Sequence, residues 1–249
     1  MKNGMWKFSI AVMSSLALAG WLKAGPPTVD DVGDVDSFGK NAVFIGAQSG
    51  FITIQNAPCD PSPTPTPSSN PSNGTQCFEV TDTSVTTPFD AENSARINLP
   101  GDAAKSIIYP VLNFFYTYNM NNTTGAPAQA RFQFTANITI VSTVLNDPSC
   151  IDPFTSAPCG GQLVFQFTPN RVFDDRHLDT AEHAQMRMTL TRAGNAGISK
   201  ANLIASGLSP TLVDKLFHKP MTLQLNVVGS AKNVDFASIT DNMRLFADH

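Results

Sequence analysis

The sequence has little charge and few histidines. Charged residues make up only 14% of its 249 residues, against about 25% in an ordinary globular domain. Its 16 glycines follow no fixed period. These figures exclude a coiled coil, a collagen and a highly charged disordered chain. With four histidines in all, the chain also has little material for acid–base catalysis.

The first residues predict export. A basic start is followed by an uncharged run from Phe8 to Leu22. Residues 17–19 (Ala-Leu-Ala) fit the small-x-small pattern that signal peptidase cuts. We therefore expect residues 1–24 to be a signal peptide, and the protein to be secreted or periplasmic with no stable membrane span after processing. An uncleaved N-terminal anchor is the alternative.

Removal of this segment would make the chain more acidic. Residues 1–24 contain three lysines and no acid, so the formal net charge would fall from −4 to −7. An acidic protein is a poor partner for nucleic acid, which binds basic patches. Residues 25–249 are enough for one core, and we expect them to form a single domain.

Four cysteines fit an oxidising compartment and predict disulfides. Three connectivities are possible, and the local one is favoured because Cys59–Cys77 and Cys150–Cys159 each bracket a turn-rich loop. The first loop, residues 60–76, is rich in proline and serine and is expected to stay extended or mobile. The cysteine spacing does not match a zinc site.

Apolar and polar residues alternate with period two through much of the chain. The longest run, Arg131–Leu145, has its apolar side chains at alternate positions: Phe132, Phe134, Ala136, Ile138 and Ile140. Shorter runs at 163–167, 186–190 and 221–227 repeat the pattern. The run from Val234 to Ala247 changes phase, which predicts a β-bulge near Ala237 and Ser238.

About ten such strands predict a mostly β protein. The fold expected is an antiparallel β-sandwich or jelly roll. Near residues 199–218, Ser199 and the pair Ser209-Pro210 are helix-start signals. They predict a short helical insert that closes one end of the sandwich. The segment Gly46–Gly50 indicates a hairpin turn between two strands.

No catalytic, cofactor-binding or metal-binding set is predicted. The polar residues His177, Asp179, Glu182 and His183 lack the spacing of a helical metal site. The acids between residues 30 and 36 match a calcium loop only in part. A hydrolase with paired carboxylates is an alternative that the sequence leaves open, because its two catalytic acids need not be close in sequence.

One patch combines aromatic and amide side chains. Tyr116, Tyr118 and Asn119 follow one another closely in a predicted strand. Aromatic rings stack on sugars and amides bond their hydroxyls, so the three residues are a candidate ligand patch. The alternative places Tyr116 and Tyr118 on the inner face of the strand.

Several segments carry a resemblance to known proteins. The opening Asp34–Asn41 (Asp-Val-Asp-Ser-Phe-Gly-Lys-Asn) and residues 146–149, 160–163 and 198–200 together resemble a set of uncharacterised exported proteobacterial proteins. This resemblance implies export and a shared fold, and no activity. Residues 239–245 look like the closing strand of carbohydrate-binding jelly rolls.

The sequence thus favours an exported, non-enzymatic interaction module of the cell surface or periplasm. Its partner would be an unidentified envelope or extracellular molecule, and a carbohydrate is one candidate. The first alternative is a carbohydrate-binding jelly-roll module, and the second is a secreted hydrolase. No cofactor is expected.

Overall fold

The computed structural model describes residues 42–59, 75–153, 155–166, 171–193 and 197–248, which form two packed β-sheets. In chain order the strands are β1 Ala42–Gln55, β2 Thr75–Glu79, β3 Thr87–Leu99, β4 Ile107–Asn121, β5 Ala128–Val141, β6 Gln162–Gln166, β7 Val172–Leu178, β8 His183–Ala193, β9 Ile198–Ser199, β10 Met221–Lys232 and β11 Val234–Asp248. The helices are α1 Lys200–Ala205 and α2 Pro210–His218. The predicted mostly β sandwich with a short helical insert is confirmed.

Three predictions fall outside the described residues. They concern the signal peptide at 1–24, the acidic segment at 30–36 and positions 60–74 of the loop rich in proline and serine. Cleavage and export therefore stay predictions. Within the described ranges, no helix has the length and apolar composition needed to cross a membrane.

Each sheet is built largely from distant parts of the chain. Sheet A has the order β2-β1-β11-β4-β8, with β9 also on β4, and sheet B has the order β3-β10-β5-β6, with β7 also on β5. Among the described strands, only β1 and β2 pair in parallel. The others pair antiparallel, as clean alternation predicts.

The core lies between the sheets and contains an aromatic cluster. The alternate apolar residues of β5 are buried as predicted, with Phe132 and Phe134 at 0% and 1% exposure. Tyr118 lies against Phe132 with ring centroids 4.8 Å apart, and Tyr116 meets Phe134 edge-on at 5.3 Å. Because such pairs interlock across the gap, they fix the register of one sheet on the other.

Three details of the predicted strands were wrong. Strand β5 ends at Val141, because Ser142 caps a 3-10 turn that contains Leu145. The bulge in β11 lies between Val234 and Phe236, not at Ala237 and Ser238. As a result the side chain of Phe236 does not lie on the core face, and the alternation of buried residues begins again at Ala237.

The segment Gly46–Gly50 is not a hairpin turn. Strand β1 passes straight through it and stays paired with β11, apart from a bulge between Phe44 and Gly46. A Cβ on Gly50 would lie 2.1 Å from the backbone oxygen of Ser94 on β3. Glycine is therefore required at this position for close contact between the sheets.

The helical insert packs at one end of the sandwich. Ser199 and Ser209 cap α1 and α2, accepting hydrogen bonds from backbone amides at 3.0 and 3.3 Å. The buried residues of α2 are Leu212, Val213, Leu216 and Phe217. They join the core cluster, so the helices bury apolar surface that the sheets alone would leave open.

Both disulfides have the local pairing. Cys59 is bonded to Cys77, with Cα atoms 5.8 Å apart, and ties the chain after β1 to the edge strand β2. Cys150 is bonded to Cys159, with Cα atoms 5.5 Å apart, and a backbone hydrogen bond of 3.0 Å from the Cys159 amide to the Cys150 carbonyl closes the same loop.

Peptide mapping without reductant is expected to recover these two pairs. The double variant Cys59→Ser/Cys77→Ser should lower the free energy of unfolding by about 3 kcal/mol, because the bond closes a loop of 18 residues in the unfolded chain. Denaturant unfolding would measure the loss. A mapped link between Cys77 and Cys150 would contradict the pairing.

Candidate functional site

The predicted patch of Tyr116, Tyr118 and Asn119 is divided between the two faces of β4. Both tyrosines point into the core, with 5% and 2% exposure. Asn119 is half-buried and lies on the outer face. The structure therefore does not bring these three side chains onto one surface.

The tyrosine hydroxyls are engaged inside the fold. Tyr118 donates to the carboxylate of Asp174 on β7, which also accepts from Arg176 at 2.8 Å. Tyr116 lies 3.5 Å from the sulfur of Met188. Burial, and then the bond to Asp174, raise the pKa of Tyr118 above its ordinary value. The bond between Tyr118 and Asp174 joins sheet A to sheet B, whereas Tyr116 and Met188 lie on neighbouring strands of sheet A.

The polar residues around His177 form a strand end and a turn. His177 is exposed on β7, and Asp179 and Glu182 lie in the turn before β8, where the backbone amide of Asp179 donates to Glu182 at 2.7 Å. In the described part of the chain, no three histidine, cysteine or carboxylate side chains are grouped closely enough to hold a metal ion.

The carboxyl of Asp241 on β11 is buried and was not predicted from the sequence. The side chain is 0% exposed, and Oδ1 accepts from the backbone amide of Gly50 at 3.1 Å. Oδ2 has no hydrogen-bond partner among the described residues. The nearby Ser94 hydroxyl gives its one proton to the carbonyl of Leu225 at 3.0 Å.

The environment of Asp241 changes its ionisation. Burial raises its pKa to about 6, although the nearby Ser94 hydroxyl and the hydrogen bond from the Gly50 amide act in the opposite direction. The sequence did contain a signal for this burial, because Asp241 alternates with Ile239 and Met243, whose side chains point into the core. With no solvent contact, the carboxyl bears on stability and cannot meet a ligand in this conformation.

The candidate binding surface is part of the outer side of sheet A. It consists of three cross-strand rows on β1, β11, β4 and β8, and we call it the sheet A face. Their residues are Phe51, Thr240, Phe115 and Thr189; Thr53, Ser238, Thr117 and Arg187; and Gln55, Phe236, Asn119 and Gln185.

Two phenylalanine rings are exposed on the sheet A face. Phe51 and Phe115 have 38% and 42% exposure, and both lie level with Thr240, which sits between them on β11. The guanidinium of Arg187 lies 5.8 Å from the centre of the Phe115 ring. Apolar area and hydrogen-bonding groups therefore occur side by side.

Many polar side chains of the sheet A face are free to bond a ligand. Six of these polar side chains make no side-chain hydrogen bond within the described ranges: Thr53, Asn119, Gln185, Thr189, Ser238 and Thr240. Two others are engaged, because Thr117 donates to the Met186 carbonyl at 2.9 Å and Gln55 donates to the Pro58 carbonyl at 3.1 Å.

The outer side of sheet B differs, because several of its central polar groups bond to one another. Asn226 donates to Asn137 at 3.0 Å and to Thr139 at 2.8 Å. Gln133 donates to Ser230 at 2.8 Å and accepts from Arg171 at 2.6 Å. A ligand on sheet B would have to break these bonds, whereas a ligand on sheet A would add new ones.

Comparison with known proteins identifies no relative. No family model and no curated protein matches the chain. Among solved structures, the chain is similar to that of the infectious bursal disease virus Gx strain, at 9% identity and a TM-score of 0.22 over 67% of this chain and 32% of that one. It is also similar to the VP2 subviral particle of infectious bursal disease virus, at 10% identity and a TM-score of 0.17 over 75% and 38%. These scores are too low to establish a common fold.

Proposed function

We propose that this protein is an exported binding module of the cell surface or periplasm, that it is not an enzyme, and that it contacts its partner through the sheet A face. The observation that carries the proposal is the contrast between the two sheets. The sheet A face presents exposed rings and several polar groups with no side-chain bond among the described residues, whereas several polar groups at the centre of sheet B bond one another. The two disulfides support export, because such bonds persist in oxidising compartments.

The resemblance to exported proteobacterial proteins also supports this proposal. A binding role fits the architecture, because a sandwich holds an open sheet rigid at no further cost in conformational entropy. The partner would be a component of the cell envelope or of its surroundings.

A pair of matched variants tests the proposal. Thr240→Arg places a long cation at the centre of the sheet A face, while Thr135→Arg places it at an exposed position on the outer side of sheet B. The probe is the envelope fraction of the cells that make the protein. We expect Thr240→Arg to weaken binding about tenfold or more, as a change at an interface centre does, and Thr135→Arg to bind like the wild type.

Circular dichroism would confirm that both variants are folded. Equal binding by the two variants would contradict the proposal. So would a wild-type protein that fails to bind the envelope fraction.

A further inference from the structure

We propose that the partner of the sheet A face is a neutral glycan chain, which crosses the strands with sugar rings stacked on Phe51 and Phe115. This inference rests on the proposed function and deepens it by naming the chemical class of the ligand. It is drawn from the spacing of the two rings, from the hydrogen-bonding groups around them and from the near absence of charge.

The spacing of the two rings suits an extended glycan. Phe51 on β1 and Phe115 on β4 lie in one row with Thr240 of β11 between them. Two strand separations place their Cα atoms about 10 Å apart. Alternate sugar rings of an extended chain recur at a similar distance, so each phenylalanine would meet the apolar face of one ring.

The polar side chains around the rings match sugar hydroxyls. Thr240 and Thr189 share the row of the two rings, and Ser238, Asn119 and Gln185 lie in the adjacent rows. A hydroxyl or an amide can both donate and accept, as a sugar hydroxyl does. Because these groups have no side-chain partner among the described residues, a glycan would bond them without disrupting the fold.

The scarcity of charge on the sheet A face argues against polyanions and basic peptides as partners. Arg187 is the one charged side chain in the three rows, and it lies over the Phe115 ring. At the β2 edge, Glu79 accepts a hydrogen bond of 2.7 Å from the backbone amide of Cys59. A polyanion would require several cations, and a basic peptide would require carboxylates. A neutral polyol requires neither.

Affinity electrophoresis of the folded protein tests this inference. The probes are three neutral polysaccharides, hydroxyethylcellulose, xyloglucan and galactomannan, with polygalacturonate as the anionic control. We expect retardation by at least one neutral polymer and none by polygalacturonate. Phe115→Ala should weaken the binding about tenfold or more.

The chain provides a matched control in Phe173→Ala. Phe173 also has an exposed ring, at 50% exposure. The guanidinium of Arg171 lies over that ring, 4.8 Å from its centre. Phe173 lies on sheet B, so its removal should leave glycan binding unchanged. Both rings point outward, and neither change should unfold the protein.

Three results would overturn the inference: no retardation by any of the neutral polymers, retardation that persists in Phe115→Ala, or equal loss in Phe173→Ala. If envelope binding depends on Thr240 and no neutral polymer is bound, the glycan inference fails and the proposed function stands. If Thr240→Arg leaves envelope binding intact, the proposed function fails.

Discussion

Phe134→Ala is expected to lower the free energy of unfolding by about 3–5 kcal/mol, through lost burial and the cavity left behind. Phe134 is 1% exposed, and its ring meets those of Phe114 and Tyr116 on the opposite sheet at 5.6 and 5.3 Å. A smaller side chain would remove this ring contact from both Phe114 and Tyr116. Urea unfolding at constant pH measures the loss, which is a large share of a typical total of about 5–15 kcal/mol.

The neighbouring Thr135 is the control for this variant. It is exposed on the same strand, and Thr135→Ala should change the free energy of unfolding by less than about 0.5 kcal/mol. Gln133 is a poorer control, because it bonds both Ser230 and Arg171. Similar losses at positions 134 and 135 would contradict a core on one side of β5.

Asp241→Asn is expected to stabilise the protein at neutral pH and to leave its stability almost unchanged near pH 4. Burial raises the pKa of Asp241 from 3.8 to about 6. The folded state therefore binds the proton more tightly than the unfolded state does. The associated stability is fully present below the unfolded pKa and is lost as the pH rises through the folded pKa.

The shift sets the size of the effect at about 2.5 kcal/mol between pH 4 and pH 7. Asparagine carries no charge at any pH and keeps an oxygen that can accept from Gly50. Urea unfolding of both proteins across this range gives the difference at each pH, and acids common to both proteins cancel. A difference that does not change with pH would show that Asp241 does not titrate as its burial requires.

Asp248→Asn provides a control of opposite sign. Partial burial alone would raise the pKa of Asp248, but hydrogen bonds from Ser106 and from the Ile107 amide together lower it. Its stabilising effect is present above the unfolded pKa and is lost as the pH falls through the folded pKa. This variant should therefore be less stable than the wild type at neutral pH, and the gap should narrow in acid.

The fold was largely predictable because the signal for it is local. Alternation along β5 and β10 depends only on neighbouring residues, and the buried faces of both strands match it. The caps Ser199 and Ser209 act within three residues and were equally visible. The Gly46–Gly50 segment was misjudged because its pairing with β11 is not local.

The candidate site was much less predictable. Phe51 and Phe115 lie in the same cross-strand row because both pair with Thr240 of the strand between them. No local sequence pattern gives the register of three strands that are distant in the chain. Tyr116 and Tyr118 were selected for their chemistry, but the alternation of β4 sends them inward. Asp241 was overlooked for the reverse reason, because a carboxylate is seldom expected in a core.

The position of β11 in sheet A governs when that sheet can assemble. Strand β11 lies between β1 and β4, yet Gly50 and Asp241, which face each other across the β1–β11 pair, are 191 residues apart in the chain. Until β11 has been synthesised, β1 and β4 each keep an unpaired edge, which invites association between chains. Contacts this distant make folding slow. Sheet A therefore cannot be completed until β11, the last of the described strands, has been synthesised.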